Sequence, residues 1–270
     1  QHVPGDRIGQ AFSVHTFAGM LGSAVAPASL LMMQNLWGWR GAFIGAGVLG
    51  LAVAALLILM RDNGPAQAAP ARSGVDSGPV GWRLMLSGPI LLNLVFFALL
   101  AIMSGGMYNY SAVALGALNG TPVAIANIAL STFLLLSAFG VLIGGLVVGR
   151  TTRHALVASL GLAAIALLTL MIAYIDLGDW LLILVMTVCG FFYGVIMPSR
   201  DMIVRAITPP GSFGKVFGFV TTGFNIGGII SPLIFGAIMD HGSPRMVFVG
   251  VAAFTLIAIA TVATRPKPVA

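Results

Sequence analysis

The chain has 270 residues, 59% of them hydrophobic and only 7% charged, with 35 glycines and a mean hydropathy of +1.04. Soluble domains carry about 25% charged residues, and seven acidic and thirteen basic side chains cannot cover a soluble protein of this length. The composition excludes a cytosolic enzyme, a disordered tail and a disulfide-stapled secreted domain, and it identifies an integral membrane protein. The net charge of +6 and the pI near 10.3 do not mark a nucleic-acid binder. Such proteins gather Lys and Arg in a stripe or an arm, whereas here they stand singly between long apolar runs. The single cysteine, Cys189, lies inside an apolar run, so no internal disulfide forms and the residue reads as a small apolar filler.

A bilayer core requires about 20 predominantly apolar residues per helix. Runs of that kind occupy 10–33, 41–60, 84–109, 122–148, 154–174, 180–198, 214–238 and 246–264. Strand-like alternation is absent, and a lipid-spanning chain is either helical or a closed barrel. The expected fold class is all-α, a polytopic membrane helix bundle with eight transmembrane helices. Lys and Arg are retained on the cytoplasmic side, which fixes the expected orientation. With the N-terminus inside, the inner segments hold Arg7, Arg61, Arg72, Arg83, Arg150, Arg153, Arg200, Arg205, Lys215, Arg265 and Lys267, and the outer loops hold Arg40 and Arg245. Both ends of the chain are therefore expected in the cytoplasm, with a bacterial inner membrane as the host bilayer. The connection 61–83 is rich in Pro, Gly, Ala and Ser, has no apolar face to bury, and reads as a cytoplasmic linker.

A repeat accounts for the division into two helices and then six. At a shift of 205 residues Gly9 meets Gly214, Phe12 meets Phe217, Thr16 meets Thr221, Gly22 meets Gly227 and Pro27 meets Pro232; beyond the first helix Arg40 meets Arg245 and Phe43 meets Phe248. The first two helices thus recur as the last two. A repeat of six helices keeps both copies in one membrane orientation, related by an axis along the membrane normal. On this reading 1–60 are the last two helices of an N-terminal six-helix half, 61–83 the linker and 84–270 the C-terminal half, from a parent of twelve.

These residues resemble the major facilitator superfamily along the whole chain. Gly38-Trp39-Arg40-Gly41-Ala42-Phe43 is similar to the turn between that family's fifth and sixth helices. Pro232 through Asp240, followed by Arg245 and Phe248, is similar to its eleventh-to-twelfth helix turn. Gly145 through His154 resembles the family's G-x-x-x-D-R-x-G-R-R loop, with Gly149 in place of the Asp and Thr152 in place of the second Gly. The stretch Gly22-Ser-Ala-Val-Ala26-Pro27-Ala-Ser-Leu30-Leu31 keeps little of the family's exporter signature G-x-x-x-G-P-x-x-G-G. The resemblance implies family helices five to twelve and transport by alternating access.

No run carries an Asp, Lys or Arg near its middle, so neutral chemistry is expected on this side of any cavity. His15 is the one imidazole within a span. Two roles fit it, a proton carrier, as imidazole chemistry allows, or a hydrogen-bonded packing residue near the cytoplasmic end. Asn93, Ser104 and Tyr108 share a helical face, as do Asn127 with Ser131, Cys189 with Tyr193, and Thr221 with Asn225. Gly105-Gly106-Met107-Tyr108-Asn109-Tyr110 reads as a broken helix end at the outer mouth. Substrate-binding candidates are Tyr108, Asn109 and Asn225 first, then Asn93, Tyr110, Asn127, Ser131, Tyr193 and Thr221; simple helix-to-helix hydrogen bonding is the alternative for each. Arg150 and Arg153 are expected as loop anchors or gate residues, Asp201 with Arg205 as an ion pair just past the sixth span, and Asp240 with Arg245 as closing the last outer turn.

A small organic solute, the lipid bilayer and a co-transported proton are the expected partners, without nucleic acid, cofactor or metal, for a monomeric secondary transporter. The alternatives are a transporter-like sensor or scaffold without flux, and an intramembrane enzyme; the chain has no Glu and no carboxylate pair at membrane depth with which to build the latter. The encoding reading frame is expected to continue upstream with four further apolar runs. Sequencing the locus checks this, and a Met codon directly before Gln1 overturns it.

Overall fold

The computed structural model describes residues 8–60 and 82–263. Most of the predicted linker, together with Arg7, Arg61, Arg72, Arg265 and Lys267, lies outside them. The described residues are helical, with short turns and no strand, so the fold class is the all-α membrane bundle that the composition requires. Two compact units divide the chain, Gly22–Pro79 on one side and Gln1–Leu21 with Val80–Ala270 on the other.

Helix α1 (Ile8–Leu59) is broken at Gly38, within the smaller unit, where a φ of 70° and a ψ of 174° leave the helical region. A residue with a Cβ adopts that conformation only under strain. Helical stretches 8–37 and 39–59 therefore flank the predicted Gly-Trp-Arg turn. The Arg40 guanidinium lies 4.3 Å above the Trp39 ring, and Trp39 meets Phe43 edge-on at 6.4 Å. Gly45 lies against Met33 and Trp37 across the break.

The larger unit contains α2 (Trp82–Met85), α3 (Gly88–Gly105), a π-helical turn (Gly106–Tyr110), α4 (Ser111–Asn119), α5 (Val123–Val148), α6 (His154–Tyr174), α7 (Gly178–Ile207), α8 (Phe213–Asp240) and α9 (Arg245–Ala263). Seven described helices are long and apolar enough to cross a membrane. The predicted run 10–33 lies within helix α1, which is helical from Ile8 onward. Two predicted boundaries need correction. The run ending at 109 continues as one rod to Asn119, because the π-turn joins α3 to α4, with only Tyr110 (φ −120°, ψ −18°) departing from helical dihedrals at the junction. The run ending at 198 continues to Ile207, because Pro198 is accommodated inside α7.

The packing rests on two parallel helix pairs, α5 with α7 and α3 with α8, and on α6 against α9. Glycine sets the first two. Gly140 and Gly144 of α5 abut the backbone at Phe191 and Val195 of α7, while Gly190 and Gly194 of α7 abut the Phe133 and Ser137 carbonyls of α5. Gly223 and Gly227 of α8 sit in the same way against Leu94 and Ala98 of α3. Lipid supplies no hydrophobic drive for helix association, so close backbone approach through small residues takes over that task. Exchanging the first three long helices of this unit for the last three maps the main contacts onto themselves: α5·α7 becomes α8·α3, α6·α7 becomes α9·α3, and α6·α9 is unchanged. The six helices thus form an inverted pair of three-helix repeats.

A Gly194→Val substitution places side-chain carbons on the Ser137 carbonyl, and overpacking of this kind costs about 1–3 kcal/mol or more. It is expected to lower the unfolding temperature of the detergent-purified protein. Gly228→Ala, where nothing lies within 4 Å of the added carbon, is expected to leave it nearly unchanged; thermal unfolding followed by tryptophan fluorescence checks both.

Candidate functional site between α3 and α7

The π-turn places the most polar stretch of the first rod against its neighbours. Such turns widen the helix by one residue and commonly mark functional sites. Around it two hydrogen bonds join the rod to α8: the Ser231 hydroxyl donates to the Ile102 carbonyl at 3.2 Å, and the Tyr110 hydroxyl donates to the Pro232 carbonyl at 3.2 Å. Gly105 and Gly106 make room for this contact, since a Cβ on Gly106 would fall 2.6 Å from the Phe235 ring. The predicted broken end at the outer mouth is thus a continuous, clamped segment inside the helix.

Tyr108 projects from this turn towards α5 and α7. Its ring lies 5.8 Å from Phe133 and 6.0 Å from Tyr193, both edge-on, and Phe133 and Tyr193 are themselves 6.0 Å apart. Edge-on aromatic contacts contribute about 0.5–1.5 kcal/mol each beyond the buried area. Cys189, four residues before Tyr193 on α7, is buried. This tier brings together three residues that the sequence singled out, Tyr108, Cys189 and Tyr193, and adds Phe133.

A second tier lies towards the basic end of the bundle, where α3 and α8 begin and α7 finishes. Arg200 is seven residues beyond Tyr193, on the same face of α7 and about 10 Å along it. Its side chain is only 8% exposed. Nε donates to Asp201 Oδ1 at 2.9 Å, Nη2 pairs with the same oxygen at 2.7 Å, and Nη1 donates to the Met197 thioether at 3.2 Å. The guanidinium lies 4.6 Å from the Phe97 ring of α3 and 5.0 Å from the Phe224 ring of α8. A charge within a span costs about 2.5–3.5 kcal/mol on insertion scales. The carboxylate and the two ring faces offset that cost.

This pair corrects one expectation and adds a buried charge beyond the apolar run 180–198, since α7 continues to Ile207. Asp201 pairs with Arg200 and not with Arg205, which is exposed. A neighbouring side chain does not normally face its predecessor on a helix, but the length of Arg200 lets it fold over Asp201. The sequence carried one signal for this tier: Phe97 and Tyr108 are eleven apart on α3 and Tyr193 and Arg200 seven apart on α7, close to whole turns, so each pair shares a helical face.

The remaining candidates are scattered. Asn93 is buried and donates to the Pro89 carbonyl at 2.8 Å, and Thr221 donates to Gly218 at 2.9 Å. Asn109, Asn127, Ser131, Asn225 and His15 are exposed in this structure, as are Arg150 and Arg153. Arg245 lies 5.6 Å from the Tyr174 ring of α6, and no ion pair with Asp240 forms among the described residues; the cation prefers the aromatic face available on the packed helix. A cavity of about 220 Å³ opens at the opposite end, lined by Asn119, Thr121, Asp176 and Asp179 among others, and none of the candidates borders it.

The sequence model of the Major Facilitator Superfamily matches residues 1–121 and 94–270, which together cover the chain. A relative described as a multi-drug resistance efflux pump PmrA homolog, from Lactococcus lactis subsp. cremoris, is 31% identical over 70 residues, 26% of this chain and 59% of that protein. The chain therefore spans about three fifths of the length of the curated relative it matches. With the family's model matched from end to end and a bundle of long apolar helices beneath it, the chain belongs to the Major Facilitator Superfamily.

Proposed function

We propose that the protein is a secondary active transporter that moves a small organic solute across a bacterial inner membrane by alternating access, with both ends of this chain cytoplasmic. The observation that supports this reading most is the stripe of aromatic and polar side chains between α3 and α7, Tyr108 and Tyr193 above, Phe97 and Arg200 below, inside helices long enough to span a bilayer. Such a surface is costly to bury in a purely structural bundle and useful for holding a solute at membrane depth. Membership of a transporter family supports carriage of a solute over chemistry on it.

In this reading residues 1–60 belong to one half of the transporter and 84–270 to the other, and the monomer is the working unit. His15 remains the proton-carrier candidate of the first half. Asn109 and Asn225, exposed on the six-helix unit, line the path of the solute together with Tyr110, Asn127, Ser131 and Thr221. Export of amphipathic compounds is a second reading. It is favoured by the efflux-pump relative and by the aromatic character of the stripe, and opposed by Ala26, Leu30 and Leu31 in the exporter-like stretch.

Solute flux into proteoliposomes of the purified protein tests the proposal. Uptake or release driven by an ion gradient is expected, and absence of flux for every solute class would leave a sensor or scaffold. Alanine at Tyr108, Asn109 or Asn225 is expected to impair transport at unchanged surface expression. Tyr108→Phe removes one hydroxyl, about 1 kcal/mol or fivefold in apparent affinity. Unchanged kinetics in all four variants would remove these residues from the path.

A further inference from the structure

We infer that Arg200 and Asp201 form a charge-exchange site that takes an organic carboxylate together with one proton. The inference rests on the transport reading and names its substrate class. It starts from how unevenly the Arg200 fork is satisfied. Nε and Nη2 both address one Asp201 oxygen, while Nη1 has only the Met197 sulfur at 3.2 Å. A thioether is a weak acceptor, and a guanidinium is built to hold a carboxylate through two parallel N–H groups. An incoming carboxylate displaces the thioether and gains a charge-assisted hydrogen bond. The rings of Phe97 and Phe224 on either side supply an apolar wall for the organic part of the ligand.

Charge balance then brings in the proton. The empty site is neutral, one guanidinium against one carboxylate, and nearly sealed from water, with Arg200 8% and Asp201 6% exposed. A second carboxylate would leave a net negative charge in a site nearly closed to water. A proton from solvent on Asp201 restores neutrality: the Asp201–guanidinium pair gives way to a ligand–guanidinium pair, and Asp201 becomes a neutral acid. On release the ligand leaves as the anion, the proton returns to solvent, and Asp201 recaptures Arg200.

Among the described residues of the helices packed against α7, the other charges are few and distant. Neither α3 nor α5 carries a charged residue. On α8 there are Lys215, exposed nine positions before Phe224, and Asp240 at the opposite end; on α6 there is His154 at its first position; on α7 there are exposed Arg205 and, at the far end, Asp179. Tyr193 and Cys189 stand two to three turns up the same helix.

Calorimetric titration of the purified full-length protein tests the inference, with benzoate and lactate as probes and neutral benzamide as control. Buffers of different ionisation enthalpy count the protons. The expected result is binding of a carboxylate with uptake of one proton per anion, and an affinity falling about tenfold per pH unit where the empty site holds no extra proton. Asp201→Asn is expected to bind the carboxylate without proton uptake or pH dependence. The uncharged double variant R200Q/D201N, which leaves no lone buried charge to unfold the bundle, is expected to lose carboxylate binding. Binding by the unaltered protein without proton uptake, wild-type binding by the double variant, or no binding of either carboxylate would each overturn the site. If that happens while proteoliposomes still move some other solute, transport stands and the carboxylate site alone falls; absence of any flux takes down the transport reading instead.

Discussion

Close backbone contact between parallel helices is the constraint on which this bundle depends. In water, two helices associate because apolar surface leaves the solvent; in lipid that gain vanishes, and contact area with good hydrogen-bond geometry must replace it. Gly140 and Gly144 against α7, Gly190 and Gly194 against α5, and Gly223 and Gly227 against α3 put main chains in contact where any Cβ would separate them. These two tight pairs are related by the internal exchange of three helices for three, so one kind of contact, used twice, organises the six-helix unit.

The site follows from that arrangement. With α3 locked to α8 and α7 locked to α5, the facing surfaces of α3 and α7 are held side by side, antiparallel, with α5 closing the tyrosine tier and α8 the arginine tier. The two hydrogen bonds around Pro232 and the π-turn fix the rod at the level where Tyr108 enters the cluster. In the proposed transport cycle, motion between the pairs would change this polar seam without breaking the contacts inside each pair.

The sequence made much of the fold legible and less of the site. Helix class follows from apolar length, and the break at Gly38 falls in the stretch that resembled the family's turn between its fifth and sixth helices. Tyr108 and Tyr193 were found by helical spacing alone. The weak points were those where a helix outlasts its hydrophobic run. Asn119 and Ile207 end their helices well past the last apolar block, and Arg200 and Asp201 therefore looked like loop residues. Spacing also promised more than it delivered for Asn93 and Thr221, whose side chains bond to their own helix, and for Arg205, which lost Asp201 to a nearer cation.

By itself the sequence determined that this is a helical membrane protein of the Major Facilitator Superfamily. Hydropathy is a property of segments, and the bilayer admits few solutions to the demand that every backbone polar group be satisfied. Only the tertiary structure decided that Arg200 is caged between Phe97 and Phe224, that Tyr108 meets Tyr193, and that the glycine stripes pair α5 with α7 and α3 with α8. Those are relations between helices far apart in the chain, and periodicity along one helix carries no information about which face of another will meet it.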